Sequence, residues 1–409
     1  MLSKSAVFTI ASWFASATLP LLAQDSRTDS VGSDERRLLR LRADAIVPSR
    51  AFPTIQSAID AVEDGGSIFV NPGTFREQLN IGRKRVRLTG SGPRGPGRTE
   101  IVGPSSNTVD EHTRAVGLVT YAEGGGGVIE GLALRGGLNG IVGHAPSARP
   151  GVPVPDPSSN ALTVRDVFIR NTGRAVLWHA PADLTLREVS ASNLRHNGIV
   201  FAPLAAGGLQ PGPGALHVSN VNVVNLLGFG VLVLDTPSIG CQNQLSDVDV
   251  TFAESGGIGV IRSGVCIFGG TLTFNRFAGI YFRNSAAIVD GSRTQSSLPL
   301  PDGRFGDGIA SILSEITTTN LFVNLNARAG MSVFGGSASM AWNTFNCNSF
   351  DLELEDLPAG FFGPSDPPAD SPGELTNPVS GSNVCGCGDA EGDCAALSGQ
   401  VSAPDPINP

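Results

Sequence analysis

Two histidines, an aspartate and two arginines fall near one phase of a repeating pattern in this 409-residue chain. His144 lies four residues past Gly140, His179 four past Ala175 and Arg283 four past Gly279, with Asp235 and Arg262 close in phase. An imidazole can take or return a proton near neutral pH. A guanidinium fork grips a carboxylate through two N–H groups, and Trp178 or Tyr281 could pack against sugar rings. His179, His144, Asp235 and Arg283 are thus candidate catalytic residues, with Trp178, Arg262 and Tyr281 as candidate substrate contacts. The alternative is that His144 and His179 stack at a solvent edge and have no chemical role.

Such residues meet only if the chain folds into stacked coils. Leu162 to Leu184 is 22 residues and Ile267 to Ile288 is 21, while Leu184 to Leu216 and Leu216 to Leu245 are 32 and 29, as if loops were inserted. Each repeat carries two short alternating apolar runs, an Asn between them and a small residue before the second run. No single repeat can bury its apolar face, so repeats must stack as a parallel β-solenoid. Equivalent positions then lie about 4.8 Å apart on neighbouring rungs.

The residue after the glycine is always apolar (Ile141, Val176, Ile199, Val231, Val260, Ile280, Met331), so that column faces the core. The next column, Val142, Leu177, Val200, Leu232, Ile261 and Tyr281, should face outward. It is too apolar for solvent, so a cover is expected from the inserts at 145–160, 202–214 and 235–244. Asp166, Glu188, Asn220 and Asp247 form another column. It could hold Ca²⁺, but Asp and Asn also favour turns by local backbone bonding, and that structural reading is preferred; no cofactor is expected. Asn171, Asn193, Asn225, Asn275 and Asn326 read as a ladder of turn amides. Asp110, Glu111, His112 and Arg114 read as a solvated turn.

Composition narrows the partners. The net charge is −9 and Lys4 and Lys84 are the only lysines, which argues against nucleic acid. Residues 1–23 read as a cleaved export signal: Lys4, then the apolar Ala6–Ala23 stretch with Pro20 before the cut. No later segment is long and apolar enough to span a membrane, and the mature chain is expected to be a secreted or periplasmic monomer. Six cysteines in an exported chain read as disulfides. Cys241 and Cys266, one rung apart, form the favoured pair. Residues 24–44 read as a linker or lead-in strand, 45–356 as the solenoid, and 357–409 as a Pro/Gly-rich, Cys-containing tail.

Ile55, Ala58, Ile59 and Val62 follow helical spacing, so residues 54–62 should form a helix with Thr54 as N-cap, plugging the solenoid's open end. The whole opening, FPTIQSAIDAVEDGGSIFVNPGTFREQLNIGRKRVRLTGSG, resembles the start of pectate-lyase-like right-handed β-helix proteins. There a T-I-Q-x-A-I helix precedes a strand, a P-G-T-[YF] turn and a further strand containing Glu. The resemblance implies an all-β, single-stranded right-handed parallel β-helix with a short N-terminal capping α-helix. It implies no particular activity, because that superfamily holds lyases, hydrolases, esterases, epimerases and non-enzymes. The D-F-[IV]-[FW]-G, Asp-Asp, W-[IV]-D-H and R-x-P-x-x-R signatures of its pectin-active enzymes are all missing, and Lys84 lies in the opening coil.

Two functions remain open from sequence. One is a secreted protein that binds or acts on an acidic polysaccharide, by elimination or hydrolysis if it is an enzyme. The other is a non-catalytic surface or structural solenoid that binds a partner through its loops.

Overall fold

In the computed structural model, each repeat turns two corners on single residues in the left-handed backbone region. Asp166, Glu188, Asn220 and Asp247 occupy the first corner at φ 50, 53, 53 and 51°. Asn171, Asn193 and Asn225 occupy the second at φ 54, 55 and 58°. Most L-residues pay about 1–2 kcal/mol there, and Asn and Asp pay least because their short side chains bond the local backbone. The acidic column is thus a set of corners, as the turn reading expected. Among the described residues no group of His, Cys, Asp or Glu is placed to hold a metal ion.

The structure describes residues 28–103, 117–122, 124–145, 160–205, 210–237, 240–357, 371–376, 382–388, 392–394 and 396, with side chains from residue 35. The signal segment at 1–23 and the cluster Asp110, Glu111, His112 and Arg114 lie outside these residues. Two units are present, residues 1–41 and 42–409. In the first, Thr28–Leu41 is an α-helix (α1), where the sequence reading placed a linker or strand. The second is the solenoid, which starts at the strand Ala45–Val47.

Between the corners the strands stack in parallel register. Leu162–Arg170, Leu184–Leu194, Leu216–Leu226 and Asn243–Ala253 pair in sequence, so Val164, Leu186, Val218 and Leu245 form one inward column. All four are 0–2% exposed. The short third strands stack the same way, with Ile141, Val176, Ile199, Val231, Ile258, Ile280, Ile309 and Met331 in one buried column. Two details differ from the sequence alignment. Val231 pairs with Ile258 rather than Val260, a two-residue shift that keeps the same side inward. The rung beginning at Asp307 had been passed over behind its own insert. The small residue before this column has a steric cause: a Cβ on Gly198 would sit 2.3 Å from the Gly230 carbonyl oxygen.

The amide ladder also divides in two. Asn171, Asn193 and Asn225 are exposed corner residues. Asn275 and Asn326 sit one position later and are buried. Asn275 donates to Val250 O at 3.1 Å and accepts from Ala253 N at 3.0 Å, so it ties two coils together.

One end is closed by the helix Ile55–Ala61 (α2), N-capped by Thr54 in a capping box with Ser57. Glu77 accepts the Ile55 and Gln56 N–H groups, both at 3.0 Å, where the helix dipole favours a carboxylate. Lys84 donates to the carbonyls of Ile59, Asp60 and Val62 at the other end. The Thr-Ile-Gln opening, the strand Glu and the lone lysine of this region are therefore one capping device.

At the far end the tail is part of the stack. Gly373–Thr376 pairs with Ala329–Ala341, and Val384–Gly386 pairs with Thr344–Asn346, both parallel. Disulfides Cys347–Cys387 and Cys385–Cys394 fasten it. The third disulfide joins Cys241 to Cys266, as the rung spacing predicts.

Candidate functional site

The structure brings the two histidines together. Gly143 pairs with Trp178 and Trp178 with Phe201, so His144, His179 and Ala202 follow one another on successive rungs. The His179 N–H donates to Gly143 O at 2.8 Å, and the His144 N–H to Tyr121 O at 3.1 Å. His179 Nδ1 lies 3.1 Å from Ala202 O. A carbonyl can only accept, so this contact places the proton on Nδ1 and leaves Nε2 as acceptor. Burial, and then the charge of Arg174, push the His179 pKa below its ordinary value.

The sign of that shift gives a pH dependence. A neutral buried imidazole binds fewer protons than the unfolded one below about pH 6.5, so its contribution to stability is lost as pH falls through that range. Melting temperature is expected to drop between pH 7.5 and 5. The drop should be shallower in His179→Gln, measured by thermal denaturation at each pH.

The other predicted residues do not join this pair. Ala202, Leu234, Ile261 and Arg283 continue the column in register, so three apolar rungs separate His179 from Arg283. At about 4.8 Å per rung the separation is roughly 19 Å. Asp235 is engaged elsewhere: Arg262 Nε reaches its Oδ1 at 2.5 Å and Nη2 its Oδ2 at 2.9 Å. Both residues sit at left-handed corners, φ 52 and 49°. The pair neutralises itself.

Trp178 and Tyr281 are corrected outright as sugar contacts. Trp178 is fully buried, meets Tyr121 edge-on at 6.2 Å, and donates from Nε1 to Ala182 O at 2.9 Å. Its neighbour Gly143 leaves the space the indole fills, since a Cβ there would sit 2.3 Å from the ring. Tyr281 is also fully buried, and burial raises its hydroxyl pKa. Val142, Leu177, Val200, Leu232 and Tyr281 belong to a second apolar cluster with Phe229, Phe277 and Phe305. Phe277 lies 5.2 Å from Tyr281 and 5.0 Å from Phe305. The column is covered, with Phe229, Phe277 and Phe305 packed on it, none of which lies in the inserts expected to do so. Of those inserts only Ala202 belongs to the cluster, and residues 146–159, 206–209 and 238–239 lie outside the described residues.

A different surface carries the strongest polar chemistry. Arg165 stacks on Arg187, and Arg135 on Arg170, in strict register. Glu100, almost fully buried, accepts from Arg98, Arg135 and Arg170 at 3.3, 3.0 and 2.8 Å. Burial alone would raise its carboxyl, but the Arg170 and Arg135 hydrogen bonds hold it down to about 2. Glu130 likewise takes Thr89 at 2.7 Å, Arg87 at 2.8 Å and Arg165 at 2.5 Å. Against its burial, Thr89 and Arg165 bring its pKa below the usual value.

Among the described residues, these two carboxylates pair with five guanidinium groups whose side chains stay 32–43% exposed. Arg170 Nε is a buried donor with no acceptor among the described residues. Exposed Arg187 and Arg94 lie beside them. Arg94 donates to Ser190 Oγ at 3.0 Å, and Phe168 is flanked by Arg94 and Arg170 at 5.9 and 5.7 Å. On a chain of net charge −9 this is a localised cationic face. Sequence reasoning missed it, although Arg165 and Arg187 share the 22-residue interval of the core leucines.

No family model matches the sequence, and no curated protein matches it. Among solved structures the chain is similar to the A-module of Azotobacter vinelandii mannuronan C-5 epimerase AlgE4. The identity is 14%, over 86% of this chain and 93% of that one, with a TM-score of 0.50. It is also similar to the catalytic unit of a GH87 alpha-1,3-glucanase from Streptomyces thermodiastaticus, at 14% identity over 89% and 71% of the two chains. That TM-score, 0.46, is too low to support an argument. The first likeness establishes the fold, a right-handed parallel β-helix.

Proposed function

We propose that this chain is an exported β-helix protein that binds an acidic polysaccharide. The observation that carries the reading is the arginine surface: guanidinium groups stacked at rung spacing on the strands flanking the first corner, and partly exposed, on an acidic chain. Repeating carboxylates of a uronate polymer match repeating arginine forks in charge and in hydrogen-bonding geometry. The three disulfides suit an oxidising compartment. Binding is favoured over elimination or hydrolysis because His179, Asp235 and Arg283 lie apart, so among the described residues these three do not assemble an acid–base pair at the histidine edge.

The test is calorimetric titration with polygalacturonate, polymannuronate and a neutral glucan at several salt concentrations. Both uronate polymers are expected to bind, more weakly as salt rises, and the neutral glucan to bind poorly. Arg94→Gln combined with Arg187→Gln spares the pairs that hold Glu100 and Glu130. It is expected to lower uronate affinity roughly five- to tenfold with little change in melting temperature. Equal binding of charged and neutral polymers, or none of either, would sink the reading. Absorbance at 235 nm in the same samples reports any cleavage by elimination.

A further inference from the structure

We infer that the second corner of the coils is a linear track for an extended uronate chain, with Phe252 and Phe274 as its sugar-stacking platform. The inference rests on the proposed acidic-glycan reading and extends it to residues outside the arginine face. In register, the corner that holds Asn171, Asn193 and Asn225 continues into Phe252, Phe274 and Ser296. Phe252 and Phe274 adopt φ 59 and 55°, a region that bulky side chains rarely enter.

Core packing does not explain these two residues, because they are 53% and 40% exposed. Asn, used three times on earlier rungs, would meet the backbone demand at lower cost. The strain instead holds two rings in parallel, 5.3 Å apart at an interplanar angle of 9°, on the protein surface. Strained positions that the fold does not need tend to mark function.

Position along the axis supplies the occupant. Arg170 immediately precedes Asn171, so the Arg135–Arg170 row ends beside the first Asn of the corner ladder. Asn225 Nδ2 donates to Asn193 Oδ1 at 2.7 Å, which leaves an ordered amide row between the guanidinium groups and the rings. From Arg170 to Thr251, next to Phe252, is three rungs, or roughly 14 Å. A cationic end, a row of amides and an aromatic end in one line suit a chain whose units each offer a carboxylate, hydroxyls and an apolar C–H face. A lipid surface or an apolar peptide would leave the amides and guanidinium groups without partners.

The decisive experiment compares a uronate hexamer with a dimer on the full chain and on Phe252→Asn/Phe274→Asn, a variant that restores the amide ladder. The variant is expected to fold with equal or higher thermal stability. It should bind the hexamer roughly tenfold more weakly than the parent, and the dimer, held at the arginines, equally well. Hexamer affinity unchanged in a folded variant overturns the track while leaving the acidic-glycan reading intact. Failure of the parent chain to bind either oligomer defeats that underlying reading instead. A parent that sediments as a dimer and a variant that sediments as a monomer, with glycan affinity unchanged, would assign the rings to self-association and also overturn the track.

Discussion

Arg328→Met is expected to destabilise the C-terminal coils by about 3–5 kcal/mol, the usual cost of removing one partner from a buried ion pair. Arg328 bonds Asp307 through both ends of its guanidinium, with Nε at 2.7 Å from Oδ1, and Asp307 is fully buried. The same charge eases the burial of Glu353, which is also sealed from solvent and whose pKa is raised chiefly by burial. Ser332 donates to Glu353 Oε2 at 2.9 Å, while Oε1 has no partner among the described residues. Without Arg328, two carboxylates share an apolar pocket beside Phe305 and Phe334. Hydrogen exchange should show the loss concentrated in the strands Ala329–Ala341 and Phe350–Glu355. Asp307→Leu added to Arg328→Met should recover much of it, because the buried charge leaves with its partner. If the single variant unfolds no more easily than the parent, the pair is not buried in solution.

Trp178→Ala is expected to cost a similar amount, about 3–5 kcal/mol, because it empties a large cavity in a close-packed core and leaves the Ala182 carbonyl without its donor. Glycan affinity of the folded fraction should not change. Denaturant titration separates the two effects. A variant of normal stability with lost binding would return Trp178 to the role the sequence first suggested for it.

The contrast at Trp178 shows what the sequence could and could not express. The coils were legible because left-handed corners favour Asn, Asp or Gly and because inward positions alternate, so Asp166, Asn171 and Val176 announce themselves. Alternation also says truly that Leu177 and Tyr281 point away from the main core. It cannot say whether a second layer lies over them, and here one does. The histidine neighbours were predictable from their shared offset, since His144 and His179 each stand four residues past the small residue of consecutive rungs, although the 145–160 insert enters between them. Arg283 shares their offset, but offset fixes only the column; the number of rungs between fixes the distance. The Gly257–Gly259 ambiguity arises because two glycines two residues apart satisfy the same pattern, and only pairing with Val231 resolves it. The arginine face was readable in principle from the spacing of Arg165 and Arg187, but its meaning depends on Glu100 and Glu130, which come from earlier strands, and on Arg94.

The closure of the last coil has a consequence for assembly. Every rung before it offers the next one a parallel template, and a bare final rung would offer the same to another molecule. Val384–Gly386 meets Gly392–Asp393 running the opposite way, the one reversal of direction among the described strand pairs. Because Cys385–Cys394 and Cys347–Cys387 pin that reversal in place, an incoming copy meets a strand of the opposite sense at this edge, and the oxidised molecule is expected to resist end-on growth there.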